Sequence, residues 1–277
     1  MFYLILAILS STLVSVSMRL SEKHIKNNLV LLLMNYVICS LLAAFYMNSM
    51  NFFPNINGSS YALLLGAING CLYLAGFIAL QFNIKENGVV LSSTFSKLGI
   101  LVPIVMSILL FHEMPQLLQV IGFIFAIIAI FIIYFEKEAL DHFQIGLIFL
   151  LLTNGSADVM SKVFNEYGNQ QLSNHFLFYT FLFAFLICLI LVITKKQKIG
   201  KEEIMFGFIV GIPNYFSARF LLLSLQSIPG IIAYPTYSVG TIVCISIIGI
   251  FLFHERISTK QRIGISIILL ALILLNI

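Results

Sequence analysis

The chain has 277 residues, 60% of them hydrophobic and 9% charged, and a formal net charge of +4. Soluble domains carry about 25% charged residues, so this composition, with a mean hydropathy of +1.06, cannot furnish a water-exposed surface. That excludes a soluble globular protein and leaves an all-α membrane protein as the expected class.

A bilayer-spanning helix needs about 20 apolar residues. In chain order, ten stretches come close: 2–19, 29–47, 60–81, 88–111, 117–135, 143–163, 175–194, 202–224, 230–253 and 260–276. The first matches a signal peptide in length. It lacks a basic front end and no convincing cleavage site follows, so it is read as the first span. Connections such as 112–116 (HEMPQ) and 225–229 (LQSIP) leave no room for an independent soluble domain. Membrane strands are a poor reading, because the apolar runs are long and do not alternate at period two. The 26 Phe suit a lipid-facing surface, and with no Trp the Tyr must supply the interfacial belt. Cys39, Cys71, Cys188 and Cys244 fall inside apolar segments, too far apart for a local metal site, and are read as packing residues.

Residues 88–113 and 230–255 repeat without a gap. Gly88, Thr94, Ser96, Ile100, Ile108, Leu110, Phe111, His112 and Glu113 recur 142 positions later, and Gln119, Ile121 and Gly122 recur as Gln261, Ile263 and Gly264. The expected organisation is therefore two halves, 1–139 and 140–277, with five spans each. Five is odd, so the second half must cross the membrane in the opposite sense, giving an inverted repeat around a midplane site. Under this count twelve of the fifteen basic residues share one face: Arg19, Lys23, Lys26, Lys85, Lys137, Lys195, Lys196, Lys198, Lys201, Arg256, Lys260 and Arg262. The positive-inside rule makes that face cytoplasmic and puts both termini outside.

The pattern resembles the drug/metabolite transporter superfamily and, within it, the EamA-like ten-helix branch, over nearly the whole chain. The local pieces are Phe111-His112-Glu113 and Phe253-His254-Glu255-Arg256, each followed by a Gln and a Gly in the next span. Family members usually carry a small residue before that Glu, where this chain has His twice. The resemblance implies a central cavity lined by the third, fourth, eighth and ninth helices with the first and sixth. It implies transport of amino acids, other metabolites, drugs, nucleotide sugars or phosphorylated sugars. Many relatives keep both termini in the cytoplasm, so the orientation derived from charge departs from the family. The cell inner (plasma) membrane is the expected location.

Three ionisable residues fall at hydrocarbon depth: Lys97, Asp158 and Arg219. Each costs at least about 2.5–3.5 kcal/mol there, so each is expected to face a cavity or a partner. Lys97 is a candidate for substrate or coupling contact, against a structural ion pair, and its repeat mate is Val239. The Arg219 guanidinium suits a carboxylate or phosphate, or snorkels to the headgroups. Asp158, four residues before Lys162 in the run Asn154-Gly155-Ser156-Ala157-Asp158, pairs within its helix, neutralises Lys97 or carries a proton. Two cations and one acid favour an anionic or zwitterionic solute.

Polar side chains complete the expected lining. At an offset of 142, Tyr73 stands opposite Tyr215, with Asn69 and Asn214 beside them; amides in apolar helices must bond to a helix or a solute. Tyr237, in the run Tyr234-Pro235-Thr236-Tyr237-Ser238, is expected to face the same way as Phe95. Pro103 is read as a kink. Glu113 and Glu255 are read as structural, because inverted repeats put them at opposite faces. His112 and His254 have no further ligand nearby, so no metal and no cofactor are expected. Lys195–Lys198 reads as a topology determinant and not as a nucleic-acid patch.

The leading expectation is a secondary transporter moving a small polar metabolite, amino-acid-like or a carboxylate, by rocking two repeats about a central site. No GxxxxGK[ST] run supplies ATP hydrolysis, so a solute or proton gradient would drive it. Its partners are then the solute and the membrane lipids. A monomer holds both repeats, so at most a weak homodimer is expected. The rivals are a non-transporting membrane scaffold or subunit and an intramembrane lipid-modifying enzyme.

Overall fold

The computed structural model describes residues 1–277 apart from 48–50, 104, 107–115, 135–141, 229, 255–257 and 275–277. The repeated Phe111-His112-Glu113 and Glu255-Arg256, with Lys137, lie outside the described residues. All the elements formed are helical: α1 (Phe2–Ser21), α2 (Asn28–Phe45), α3 (Ser59–Leu98), α4 (Leu117–Tyr134), α5 (His142–Tyr167), α6 (Ser173–Thr194), α7 (Lys201–Leu225), α8 (Gly230–Phe251) and α9 (Thr259–Leu274). Among the described residues six helical stretches are long and apolar enough to cross a membrane: α1, α2, Ser59–Pro103, Ile145–Tyr167, Gln170–Thr194 and α7. Thr236–Phe251 and Arg262–Ala271 are shorter apolar helices. The chain is an all-α multi-pass membrane protein.

The stretch Ser59–Pro103 is not one straight span. Its 45 residues would reach about 68 Å, more than twice a hydrocarbon core of about 30 Å. Gly88 breaks it, with φ 79° and ψ 168°, a backbone conformation open to glycine. Close approaches to α5 show where the two arms go. A Cβ on Gly146 would lie 2.9 Å from Asn83 Oδ1, and one on Gly76 would lie 2.9 Å from Asn154 Oδ1. Beyond the break, a Cβ on Gly155 would lie 2.3 Å from the Gly99 carbonyl oxygen. Gly76 and Gly99 therefore meet the same level of α5, so the chain turns back at Gly88. The sequence places a division between its third and fourth spans here, but α3 stays helical through 82–87, the gap between those two spans.

Loop contacts fix which termini share an end. Between α1 and α2, the Asn27 amide donates to Gln197, and Lys26 and Asn27 donate their backbone N–H groups to Glu203 at 2.9 and 3.2 Å. Arg19 reaches the Ile84 carbonyl at 3.4 Å. This end collects Lys23, Lys26, Lys85 and Lys195–Lys201. At the other end, Tyr179 donates to the Phe52 carbonyl at 2.7 Å and Asn169 to the Asn57 carbonyl at 3.3 Å. Hence α1 runs toward the basic end and α5 away from it, α2 away and α6 toward, and the first arm of α3 toward and α7 away.

Packing follows the same exchange. Helix α1 lies on α7 and α5 on α3; α2 lies on α7 and α6 on α3; α2 meets α6, and α4 meets α9. Small residues let backbones approach where lipid supplies no hydrophobic drive. A Cβ on Gly70 would fall 2.5 Å from the Thr180 carbonyl oxygen in α6, and one on Gly211 would fall 2.9 Å from the Asn35 carbonyl oxygen in α2. Cys39 and Cys188 are buried in these contacts, whereas Cys71 is exposed on the surface and packs against nothing inside.

Candidate functional site

Between the halves lies a cavity of about 100 Å³. Ser11, Val14 and Ser15 of α1 line it, and so do Asn154, Ala157 and Asp158 of α5, each 143 positions later. Tyr73, Phe77 and Leu80 of α3 are matched by Asn214, Ala218 and Leu221 of α7, each 141 positions later. Ser96 in the second arm of α3 is matched by Ser238 of α8, 142 positions later. One constant offset per helix pair means that the lining has twofold symmetry in position.

It has no such symmetry in charge. Asp158 occupies the place that Ser15 holds in the other half, and Lys97 lines the cavity where the other half has Val239. The Lys97 ammonium sits 4.0 Å from the centroid of the Tyr237 ring. That ring is anchored in turn, its hydroxyl 2.9 Å from the Ser217 hydroxyl. No ion pair within 4.0 Å joins Lys97 to Asp158. The cavity thus holds an acid and a base that are not in direct contact, in a lining that also carries hydroxyls. Ser93 donates to Ser15 at 3.1 Å, linking the second arm of α3 to α1.

Of the residues expected at the site, Lys97, Asp158, Asn154, Tyr73, Asn214 and Tyr237 come together around this cavity. Asn154 donates to the Leu150 carbonyl at 3.0 Å, which leaves its Oδ1 toward Gly76. Asn214 donates to Asn35 Oδ1 at 3.1 Å, so one amide hydrogen bond already ties α7 to α2. Three others stand elsewhere. Asn69 is buried and donates to Thr180 at 3.4 Å, a helix–helix contact. Arg219 donates to Asn174 at 3.1 Å and to the Tyr215 hydroxyl at 3.0 Å, and stacks 4.0 Å above the Tyr46 ring. Tyr215 is buried against Tyr46, ring centroids 5.8 Å apart.

The Tyr73–Tyr215 pairing is therefore corrected to Tyr73–Asn214, an offset of 141. On a helix, one residue of slip turns a side chain by about 100°. Tyr215 faces away for that reason. Phe95, the counterpart of Tyr237 at an offset of 142, is buried in the core and is not among the residues lining the cavity. The serines of the lining were not singled out from the sequence. Ser11 and Ser15 stand four apart in an apolar helix, as Asn154 and Asp158 do, and that shared polar stripe is the signal that could have found them.

The arrangement offers an ammonium, a carboxylate, amides and hydroxyls to one small solute. Among the described residues there is no group of three His, Cys, Asp or Glu able to hold a metal ion.

Residues 144–277 match the EamA-like transporter family. An uncharacterised protein of Haemophilus influenzae (strain ATCC 51907 / DSM 11121 / KW20 / Rd) is 26% identical over 278 residues, covering 96% of this chain and 94% of its own length. A protein of known crystal structure shares the fold, with a TM-score of 0.67 at 11% identity over 99% of this chain and 96% of its own. The second half of the chain is thus similar to the EamA-like transporter family, and the whole chain, an all-α multi-pass membrane protein, shares its fold with a solved structure.

Proposed function

We propose that the chain is a secondary transporter of a small zwitterionic or anionic metabolite, amino-acid-like or a carboxylate, which it moves by alternating access. The observation that carries this reading is the cavity most of whose lining residues pair between the two parts of the chain while its charges do not. Its geometry supports ten spans in two inverted five-helix repeats, 1–139 and 140–277. The opposed directions of α1 and α5, α2 and α6, and α3 and α7 support the same arrangement. A carrier built this way exposes one site to either face by rocking one repeat on the other.

Lys97 would take the solute carboxylate, leaving the Tyr237 face to do so, and Asp158 would meet an amine. A cavity of about 100 Å³ is small beside the roughly 300–1,000 Å³ of drug-sized sites, which argues for a solute of few heavy atoms and against nucleotide sugars. A solute or proton gradient supplies the energy, with Asp158 as the group able to carry a proton. A scaffold with Lys97 and Asp158 permanently paired fits the geometry less well, since the two do not touch. A thermal-shift screen of purified protein against amino acids, organic acids, polyamines and sugar phosphates tests the site. A stabilising ligand should lose its effect in Lys97→Ala and Asp158→Ala; equal stabilisation of all three would remove both residues from the site.

A further inference from the structure

Three residues further along α1, and one further along α3, lies a second cavity of about 600 Å³. The first ends at Ser15 and Leu80, and the second begins at Met18 and Gln81. Met18 and Ile84, each 1% exposed, stand between them with Leu80. The second cavity opens at the basic end of the molecule. Lys23, Lys26 and Lys85 line it with Glu22, whose other carboxylate oxygen is already bound to Arg19. Behind Lys26, Glu203 accepts that residue's backbone N–H at 2.9 Å and so offsets part of the positive charge.

Its buried wall carries unmet hydrogen-bonding groups. Gln81, 5% exposed, has a side-chain Nε2 with no acceptor, and Glu22 Oε1 has no donor. Buried polar groups are ordinarily satisfied, so these two are matched to something that brings both an acceptor and a hydroxyl. At the offsets of the central lining, Glu22, Gln81 and Lys85 correspond to Asn165, Leu222 and Gln226, which carry no charge.

We propose that this second cavity is a binding site for a phosphate group that has a hydroxyl beside it, the chemistry of glycerol phosphate whether free or as a lipid headgroup. The three ammonium groups neutralise the phosphate, Gln81 donates to one of its oxygens, and Glu22 accepts from the neighbouring hydroxyl. Anionic headgroups are a known class of occupant for basic pockets between membrane helices. The site stands independently of solute transport through the central cavity.

The test is thermal unfolding of the full chain in detergent, with free glycerol phosphate against matched potassium chloride, and with phosphatidylglycerol against phosphatidylcholine. At least one of the two phosphates should raise the unfolding midpoint by several degrees. A response to the free compound identifies a soluble ligand, and a response to phosphatidylglycerol alone identifies a headgroup. Lys23→Gln/Lys26→Gln/Lys85→Gln changes only exposed side chains, so its midpoint without ligand should match wild type while the response disappears. Gln81→Leu removes the unmet donor and should weaken the response without lowering that midpoint. Lys97→Ala should respond as wild type does. No shift beyond the controls, or an undiminished shift in the triple variant, overturns the proposal whether or not the protein transports a solute.

Discussion

Lys97 places its charge on a ring and not on a carboxylate. A lysine at this depth costs about 2.5–3.5 kcal/mol, and a desolvated cation–π contact returns about 2 kcal/mol of it. Tyr237 supplies that contact at 4.0 Å, and its hydroxyl is fixed by Ser217. On the proposed function, this contact would keep the ammonium available to an incoming carboxylate and off Asp158. Tyr237→Phe keeps the ring and loses one hydrogen bond, so the initial uptake rate in proteoliposomes should fall two- to threefold. Tyr237→Leu loses the ring and frees Lys97 to pair with Asp158, so the same rate should fall at least tenfold, equivalent to about 1.4 kcal/mol. Equal rates in the two variants would show that the ring does not hold the lysine. Lys97 and Asp158 were legible in the sequence because a charge inside an apolar run is conspicuous. Arg219 is as conspicuous but is held by Asn174, Tyr215 and Tyr46 away from the cavity, and Tyr215 was set opposite Tyr73 because an apolar helix gives no mark of a one-residue slip between repeats. Ser11 and Ser15 were missed because a serine in an apolar helix is unremarkable by itself.

Backbone contacts set the helix register, and they leave no slack. At Gly155 a Cβ would stand 2.3 Å from the Gly99 carbonyl oxygen, an atom that cannot swing aside as a side-chain tip can. Overpacking of this kind costs about 1–3 kcal/mol or more. Gly155→Val should therefore lower the unfolding midpoint in detergent by several degrees and displace the arm that carries Lys97. Cys71→Val, at an exposed position on α3, should leave the midpoint unchanged. Similar losses in both variants would mean that the α3–α5 approach is not the constraint. Most helices were legible as apolar runs, with ends moved by a few residues. The chief difference is the third span, which the sequence reading ends at residue 81 and the molecule carries on as helix up to Gly88. Gln81, Asn83, Lys85 and Glu86 form the last turns of the arm before Gly88, the first two buried and the last two exposed.

Across the whole molecule, charge and repeat point to one arrangement. The ends that share Asn27 with Gln197 carry the lysines, and the ends that share Asn57 with Asn169 do not. In a cysteine-free background, an impermeant maleimide added to intact cells should label Asn57→Cys and Gln170→Cys. His24→Cys and Lys196→Cys should need lysis first. The reverse pattern would give the cytoplasmic termini usual among relatives and overturn the orientation derived from charge. The repeat was readable because its strongest segment aligns without a gap. The twofold cavity was not, since its three helix pairs match at three different offsets that a single alignment cannot hold. The central claim is that this cavity, with its unpaired Lys97, is where solute crosses. Counterflow of a pooled radiolabelled mixture of amino acids and small carboxylates into preloaded proteoliposomes tests it most directly. Wild type should accumulate label at least tenfold above Lys97→Ala of equal folded content; equal accumulation in the two, or none in folded wild type, would contradict the account.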